Sequence, residues 1–136
     1  MEDLFEKIVA GEIPAEKIYE DDETFAFLDI KPTNRGHALM IPKKHYANFL
    51  ETPDDLACAI TKAVKIVAPA VQRAVNADGV NMISNIESAA GQVIFHTHVH
   101  IVPRFADDGF RHWQGSEYQE GQMQEVANTI RAELSS

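Results

Sequence analysis

Between Phe95 and Pro103 the chain reads His96-Thr97-His98-Val99-His100-Ile101-Val102, with a histidine at every second position. A β-strand puts side chains of period two on one face, whereas a helix would scatter the three rings around its axis. The pattern therefore predicts a strand running from Val93, with His96, His98 and His100 in line, roughly 6.6–7 Å from one to the next. Thr97, Val99 and Ile101 would face a core. Half of the six histidines in the chain stand in this ladder, which makes it the place to look for chemistry.

Several uses compete for such a row. Histidine is a common metal ligand, but the first and third rings of a straight strand lie about 13–14 Å apart, so at most two could share an ion. Covalent catalysis on phosphorus fits better. A neutral imidazole is nucleophilic near neutral pH, and flanking histidines can donate to phosphoryl oxygens and a leaving group. A paired His-x-Thr or His-x-Ser phosphodiesterase motif would need a second copy, and Thr97 stands one place too close to His96 for it. A row of inert surface histidines is the remaining alternative.

A chain of 136 residues suits one domain over 1–136, with a core over 4–104 and a tail and helix over 105–136. There are 12 basic and 21 acidic side chains, a net charge of -9. That excess repels a phosphate polymer, so no nucleic-acid partner is expected, although a pocket can be locally positive toward a small phosphate ligand. Cys58 is the lone cysteine, which rules out an internal disulfide and fits a reducing compartment. No apolar run approaches the ~18 residues of a membrane helix, and no basic-then-apolar leader is visible. The expectation is a soluble cytoplasmic protein with no membrane partner.

In chain order, Asp3 can cap a short helix over Leu4–Val9 that ends before Gly11, with Leu4, Phe5 and Ile8 on its apolar side. Lys17–Glu20 and Thr24–Ile30 read as a hairpin around Asp21-Asp22-Glu23. Asp29 ends that second run as either a turn-former or a ligand group. Gly36–Lys43 is a third strand, with His37 where it leaves its loop and Lys43, Lys44 and His45 as a solvated edge. Thr52-Pro53-Asp54-Asp55 reads as a capped helix start. Apolar residues from Leu56 to Val75 recur at helical spacing. Pro69 predicts a kink or break, and Asp78-Gly79 an end. Val80–Asn85 is a fourth strand and Ile86–Gln92 a loop of small residues. Phe110 and Trp113 are candidate anchors in an irregular tail, and Gly121 to Leu134 is an amphipathic helix. Five strands joined by tight turns, one long inserted helix and short terminal helices make an α+β fold with an antiparallel sheet.

The ladder resembles the His-φ-His-φ-His-φ-φ signature of the histidine triad (HIT) family, where φ is apolar and Thr97 a tolerated variant. The likeness extends to Asn85, to Ala90-Gly91-Gln92 before the ladder and to Pro103-Arg104 after it. Upstream it covers Gly11-Glu12-Ile13-Pro14, Phe27-Leu28-Asp29-Ile30, Gly36-His37 and Ile41-Pro42-Lys43-Lys44-His45. It implies a HIT-like fold, a homodimer with a continuous sheet, and hydrolysis or transfer at a purine nucleotide's α-phosphate without a cofactor. Adenosine phosphoramidates are the implied substrates, with dinucleoside polyphosphates or an adaptor with vestigial catalysis as alternatives. By position the resemblance makes His98 the nucleophile, His100 a phosphate contact, and His96 and His37 the supporting histidines. It makes Asp29 the ribose ligand. Ile30, Phe27, Phe5, Ile8 and Ile13 match the base pocket, and Asn85, Gly91, Gln92 and Val93 the phosphate side.

Two departures from the resemblance carry expectations. Val93 stands where many relatives have Ser or Thr, so only its backbone N–H can meet a phosphate. Asp3 and Glu6 stand where some bacterial relatives have the two cysteines of a zinc site completed by histidines matching His45 and His96. Without the thiolates, no tight structural zinc is expected.

Overall fold

The structure is a computed structural model that describes residues 3–136. The elements are α1 (Leu4–Val9), β1 (Lys17–Glu20), β2 (Thr24–Leu28), β3 (Ala38–Pro42), α2 (Asp54–Val75), β4 (Gly79–Ile83), β5 (Val99–Arg104) and α3 (Gln122–Ser135). The strands form one sheet in the order β1-β2-β3-β5-β4, and each pairing is antiparallel. The α+β architecture expected from the sequence is the one observed.

Both faces of the sheet are covered, and the alternation of side chains says by what. Ala26, Ala38, Met40, Val99 and Ile101 point to one face, where they pack with Leu56, Ile60, Val64, Val67 and Val71 of α2. Phe25, Phe27, Leu39 and Ile41 point to the other and meet Phe5 and Ile8 of α1. Each fully buried aliphatic side chain contributes about 1.5–3 kcal/mol. Leu39 pairs with His100 in the β3–β5 register, so His100 lies on the α1 face.

The ladder is the main correction. Regular strand begins only at Val99, and Val93 to His98 approach it as irregular chain. The reason lies in β3. Pro42 has no N–H with which to extend the ladder, and its carbonyl accepts instead from the His96 ring at 2.8 Å. The Thr97 N–H donates to the Tyr46 carbonyl at 2.8 Å, and the Ser84 hydroxyl donates to the His98 carbonyl at 2.8 Å. The end of β3 and two loops, not ladder pairing, thus hold this stretch.

The start of α2 also differs from expectation. Pro53 occupies its N-cap without a side-chain bond, and the Thr52 hydroxyl is turned inward to the Asn48 carbonyl and the Thr97 hydroxyl. The helix runs unbroken through Pro69. That residue is exposed, so water can serve the Lys65 carbonyl that it leaves without an N–H partner. Asn76 in the left-handed conformation (φ 57°) ends the helix, ahead of the expected Asp78-Gly79. At the far end Met123, Ile130 and Leu134 of α3 are all exposed, as is Trp113, which therefore anchors nothing among the described residues. Phe110 lies under the Arg104 guanidinium at 5.8 Å.

Candidate active site

The end of β2, the start of β3, the approach to β5 and the N-terminal helix converge on one cluster of rings. His98 and His100 stack edge to face at 5.1 Å, and His37 and His100 lie 5.2 Å apart. Phe5 of α1 sets its edge against His98 at 5.1 Å and against His96 at 5.6 Å. The three histidines of the ladder are therefore not equivalent. His96 is wholly buried, His98 nearly so, and His100 partly open.

Hydrogen-bond partners decide where the ring protons sit. The Thr33 N–H donates to His37 Nδ1 at 3.0 Å, which leaves the His37 proton on Nε2. That nitrogen lies 2.9 Å from His100 Nδ1, so His37 donates to His100 and the His100 proton sits on Nε2. His98 Nδ1 lies 2.6 Å from the His96 carbonyl. A carbonyl only accepts, so His98 Nδ1 carries the proton and Nε2 keeps its lone pair. Among the described residues nothing meets that nitrogen. The site thus presents a free imidazole lone pair beside an N–H donor.

Burial pushes the imidazoles of His98, His37 and His100 below their ordinary value. For His100 the neighbouring His98 and His37 add to the effect and the value falls to about 4. The Asp29 carboxylate acts in the opposite sense on all three. All three rings are neutral at neutral pH, the state a nucleophile and a tautomer relay require.

Asp29 resolves an ambiguity left by its position at a strand end. Its Oδ1 accepts from the Lys31 N–H at 2.8 Å, which shapes the turn, while Oδ2 faces His37 Nε2 at 3.7 Å. It shapes the turn and borders the cluster. Phe5, Ile8 and Phe27 are gathered in one apolar group with Ile13 at its border. Ile30 stands apart from them at 88% exposure. Asn85 borders the Gly91 turn, with its Nδ2 3.5 Å from where a Cβ on that glycine would lie, and Gly91 itself has φ 96°. Val93 is exposed. Among the described residues its N–H donates to no group.

Gln92 stands in the loop that the resemblance puts on the phosphate side. Its side chain is buried and fully engaged: Oε1 takes the Glu87 N–H, and Nε2 donates to the Ala47 and Ile94 carbonyls. It shapes the loop and has no amide group left for a ligand. That loop carries Glu87 at φ 75°, ψ 157°, a conformation natural only to glycine.

Two clusters make contacts that the sequence did not specify. Asp3 Oδ2 lies 2.7 Å from His96 Nδ1 and 2.6 Å from His45 Nδ1, so His45 is not merely part of a solvated edge. The Arg104 guanidinium grips Asp108, which also accepts from Asn34, Phe105 and Phe110 and so fastens the loop after β2 to the tail. Arg104 beside it holds the Asp108 carboxyl well below the usual range. For Asp3 the resemblance names His45 and His96 as the neighbours of its place, whereas Asp108 carries no sequence signal because it lies in a tail of undefined course. Asp3, Glu6, His45 and His96 bring ligand atoms within 4.8 Å of one another, as do Asp29, His37 and His100. An apolar groove of about 440 Å³ between α2 and the sheet, lined by Ile18, Leu28, Ile66 and Val71 among others, has none of these histidines in its wall.

A neutral imidazole lone pair next to a tautomer-locked donor and a bordering carboxylate defines a site suited to chemistry on phosphoryl groups. The HIT domain family model matches residues 10–107, and the chain belongs to the histidine triad family. SMU.412c from Streptococcus mutans superimposes with a TM-score of 0.91 at 43% identity, over 98% of this chain and 85% of that one. A histidine triad nucleotide-binding protein from Candida albicans superimposes at 0.86 with 30% identity, over 98% of each chain. Adenylylsulfatase HINT3 from Arabidopsis thaliana is 46% identical over 74% of this chain and 51% of its own length.

Proposed function

We propose that this protein is a nucleotide hydrolase or nucleotidyl transferase acting at the α-phosphorus of a purine nucleotide through a nucleotidyl-His98 intermediate. His98 Nε2 attacks the α-phosphorus and forms a P–N bond. The bond from phosphorus to the leaving amine, or to an oxyanion leaving group, breaks, and the departing atom takes its electron pair and a proton from solvent. Water then attacks the same phosphorus and gives up a proton to solvent, the P–N bond breaks with its electron pair returning to His98 Nε2, and the nucleoside monophosphate leaves. The observation that carries this reading is the hydrogen bond from His98 Nδ1 to the His96 carbonyl, 2.6 Å long. It leaves the opposite nitrogen as a neutral nucleophile.

The other roles follow from position. His37 aligns His100, whose Nε2–H is free to donate to a phosphoryl oxygen. Asp29 Oδ2 takes the ribose hydroxyls. Phe5, Ile8, Phe27 and Ile13 form the wall of the base slot, and exposed Ile30 supplies its open side. The Val93 N–H and Asn85 face the phosphate across the Gly91 turn. A homodimer belongs to the same reading: β4 is a sheet edge with Met82 and Ile83 exposed, and such an edge is open to pairing. The relative named for adenylyl sulfate supports an adenylyl group on a small leaving group as the substrate class.

The test is hydrolysis of adenosine phosphoramidate by wild type and His98→Ala, with labelled nucleotide to trap the intermediate. Wild type should turn over and carry label after acid quenching, and His98→Ala should do neither. A folded His98→Ala with full activity would remove the nucleophile assignment. Light scattering that reports a monomer at micromolar concentration would remove the dimer.

A further inference from the structure

Asp3 is used twice, and its two oxygens divide the work. Oδ1 accepts the Glu6 N–H at 2.7 Å, and Glu6 Oε1 takes the Asp3 N–H in return, a capping box at the start of α1. Oδ2 takes no part in that cap. It bridges His45 Nδ1 at 2.6 Å and His96 Nδ1 at 2.7 Å. Burial pushes the carboxyl up, but the Glu6 N–H and the two imidazoles outweigh it and hold Asp3 below its ordinary value. A helix of six residues does not stand alone, so its seat on the sheet comes from this bridge and from the burial of Phe5 and Ile8.

The bridge leads to the reacting ring by two short routes. His96 is wholly buried, with Asp3 on Nδ1 and the Pro42 carbonyl on Nε2 at 2.8 Å. Its own backbone carbonyl accepts the His98 Nδ1–H at 2.6 Å. The second route is Phe5, two residues from Asp3, whose edge rests on both His96 and His98. Asp3 therefore fixes the residue that orients His98 and the ring that backs it.

We propose that Asp3 is a positioning residue for His98, acting through the Oδ2 bridge rather than through the helix cap. The claim rests on the reading of His98 as nucleophile. The bridge pins His96 and seats α1, so that Phe5 and the His96 carbonyl hold the His98 ring with its Nε2 toward the substrate.

Asp3→Asn separates the two uses. Asparagine caps a helix about as well as aspartate, so its carbonyl keeps the Glu6 bond. Its amide group, a donor, then confronts the two histidine N–H groups. The experiment compares wild type, Asp3→Asn and His45→Ala by circular dichroism, by kinetics on adenosine phosphoramidate, and by NMR of the His98 ring and its contact with Phe5. Asp3→Asn should stay helical, lose the Phe5–His98 cross-peak, and lower kcat/KM by about 10²-fold, the scale of a small misplacement of reacting groups. His45→Ala removes one arm of the bridge and keeps the His96 arm, so it should shift both readouts in the same sense as Asp3→Asn and by less. A folded Asp3→Asn with an unchanged His98 signal and wild-type kinetics would overturn the proposal and leave Asp3 as a cap alone. Failure of the His98 reading is separable. Full activity in His98→Ala would remove that reading, while the cross-peak in Asp3→Asn would still decide the bridge.

Discussion

His37 Nε2 lies 2.9 Å from His100 Nδ1, and because the Thr33 N–H fixes the His37 tautomer, that one contact fixes the tautomer of His100 as well. The expected state is His100 with its proton on Nε2, visible in ¹⁵N shifts of the ring. His37→Ala should release the preference and lower kcat/KM by about 10²-fold, the usual loss when one preorganised donor is removed. Unchanged ring shifts in that variant would mean that His37 does not direct His100.

The three site imidazoles make stability and activity depend on pH in a predictable sense. Burial lowers the values of His98, His37 and His100, that of His100 from 6.5 to about 4. Between those limits the unfolded chain binds protons that the folded chain refuses, so the contribution is intact above 6.5 and is lost as pH falls toward 4. The urea midpoint should drop across this window, and His100→Gln should flatten the drop. The acid limb of kcat/KM should also lie below the ordinary imidazole value, since His98 stays neutral further into acid. A limb at the ordinary value would contradict the burial argument.

The contact between Thr52 and Thr97, 2.8 Å between two buried hydroxyls, is testable by a double-mutant cycle. Thr52→Val or Thr97→Val alone removes the contact while the surviving hydroxyl keeps its own carbonyl partner, Tyr46 for Thr97 and Asn48 for Thr52, at a cost of about 0.5–1.5 kcal/mol. The double variant should cost less than the sum, with a coupling of about 0.5–3 kcal/mol. Additive losses in chemical denaturation would show that the two hydroxyls act independently.

The same pair shows what the sequence could and could not reveal. Local pattern located the elements: Lys17–Glu20 and the Leu56 to Val71 stripe are where period and turn chemistry place them. Thr52 looked like a helix cap and Thr97 like a core-facing strand residue, because neither could be seen facing the other across 45 residues. His96, His98 and His100 showed the period of a strand. Yet His96 and His98 precede the strand, since Pro42 ends the pairing that would have extended it. The resemblance named His37 and Asp29 alongside the triad; in the structure Asp29 and His37 border His100, while His96 faces Asp3. It gave no sign that Gln92 is consumed in shaping its loop, which depends on carbonyls of Ala47 and Ile94. It did set Asp3 and Glu6 beside His45 and His96, as the places of a zinc site, but not the direct hydrogen bond that His96 makes to Asp3, 93 residues away.

Glu87 offers a stability gain. Its φ of 75° and ψ of 157° fall where a side chain costs about 1–3 kcal/mol, and the Gln92 carbonyl oxygen holds it there through its N–H. Glycine removes the clash but gains freedom in the unfolded chain, which costs about 0.5–1 kcal/mol. Glu87→Gly should therefore stabilise by roughly 1 kcal/mol, read as a higher denaturation midpoint. A lower midpoint would mean that the Glu87 side chain makes a compensating contact.

Pro69 sits within α2, where it removes one helical hydrogen bond, that to the Lys65 carbonyl. An interior proline costs about 3 kcal/mol against alanine, but here the helix is held by Ile60, Val64, Val67 and Val71 on its buried face, and water can reach the carbonyl beside exposed Pro69. Part of that cost is thus already relieved, and part is offset because proline restricts the unfolded chain. Pro69→Ala should stabilise by about 1–2 kcal/mol and leave kcat/KM unchanged, since α2 covers the sheet face opposite His100. Calorimetry on the variant and wild type measures the first claim, and the phosphoramidate assay the second. A variant less stable than wild type would show that α2 is built around the proline rather than in spite of it.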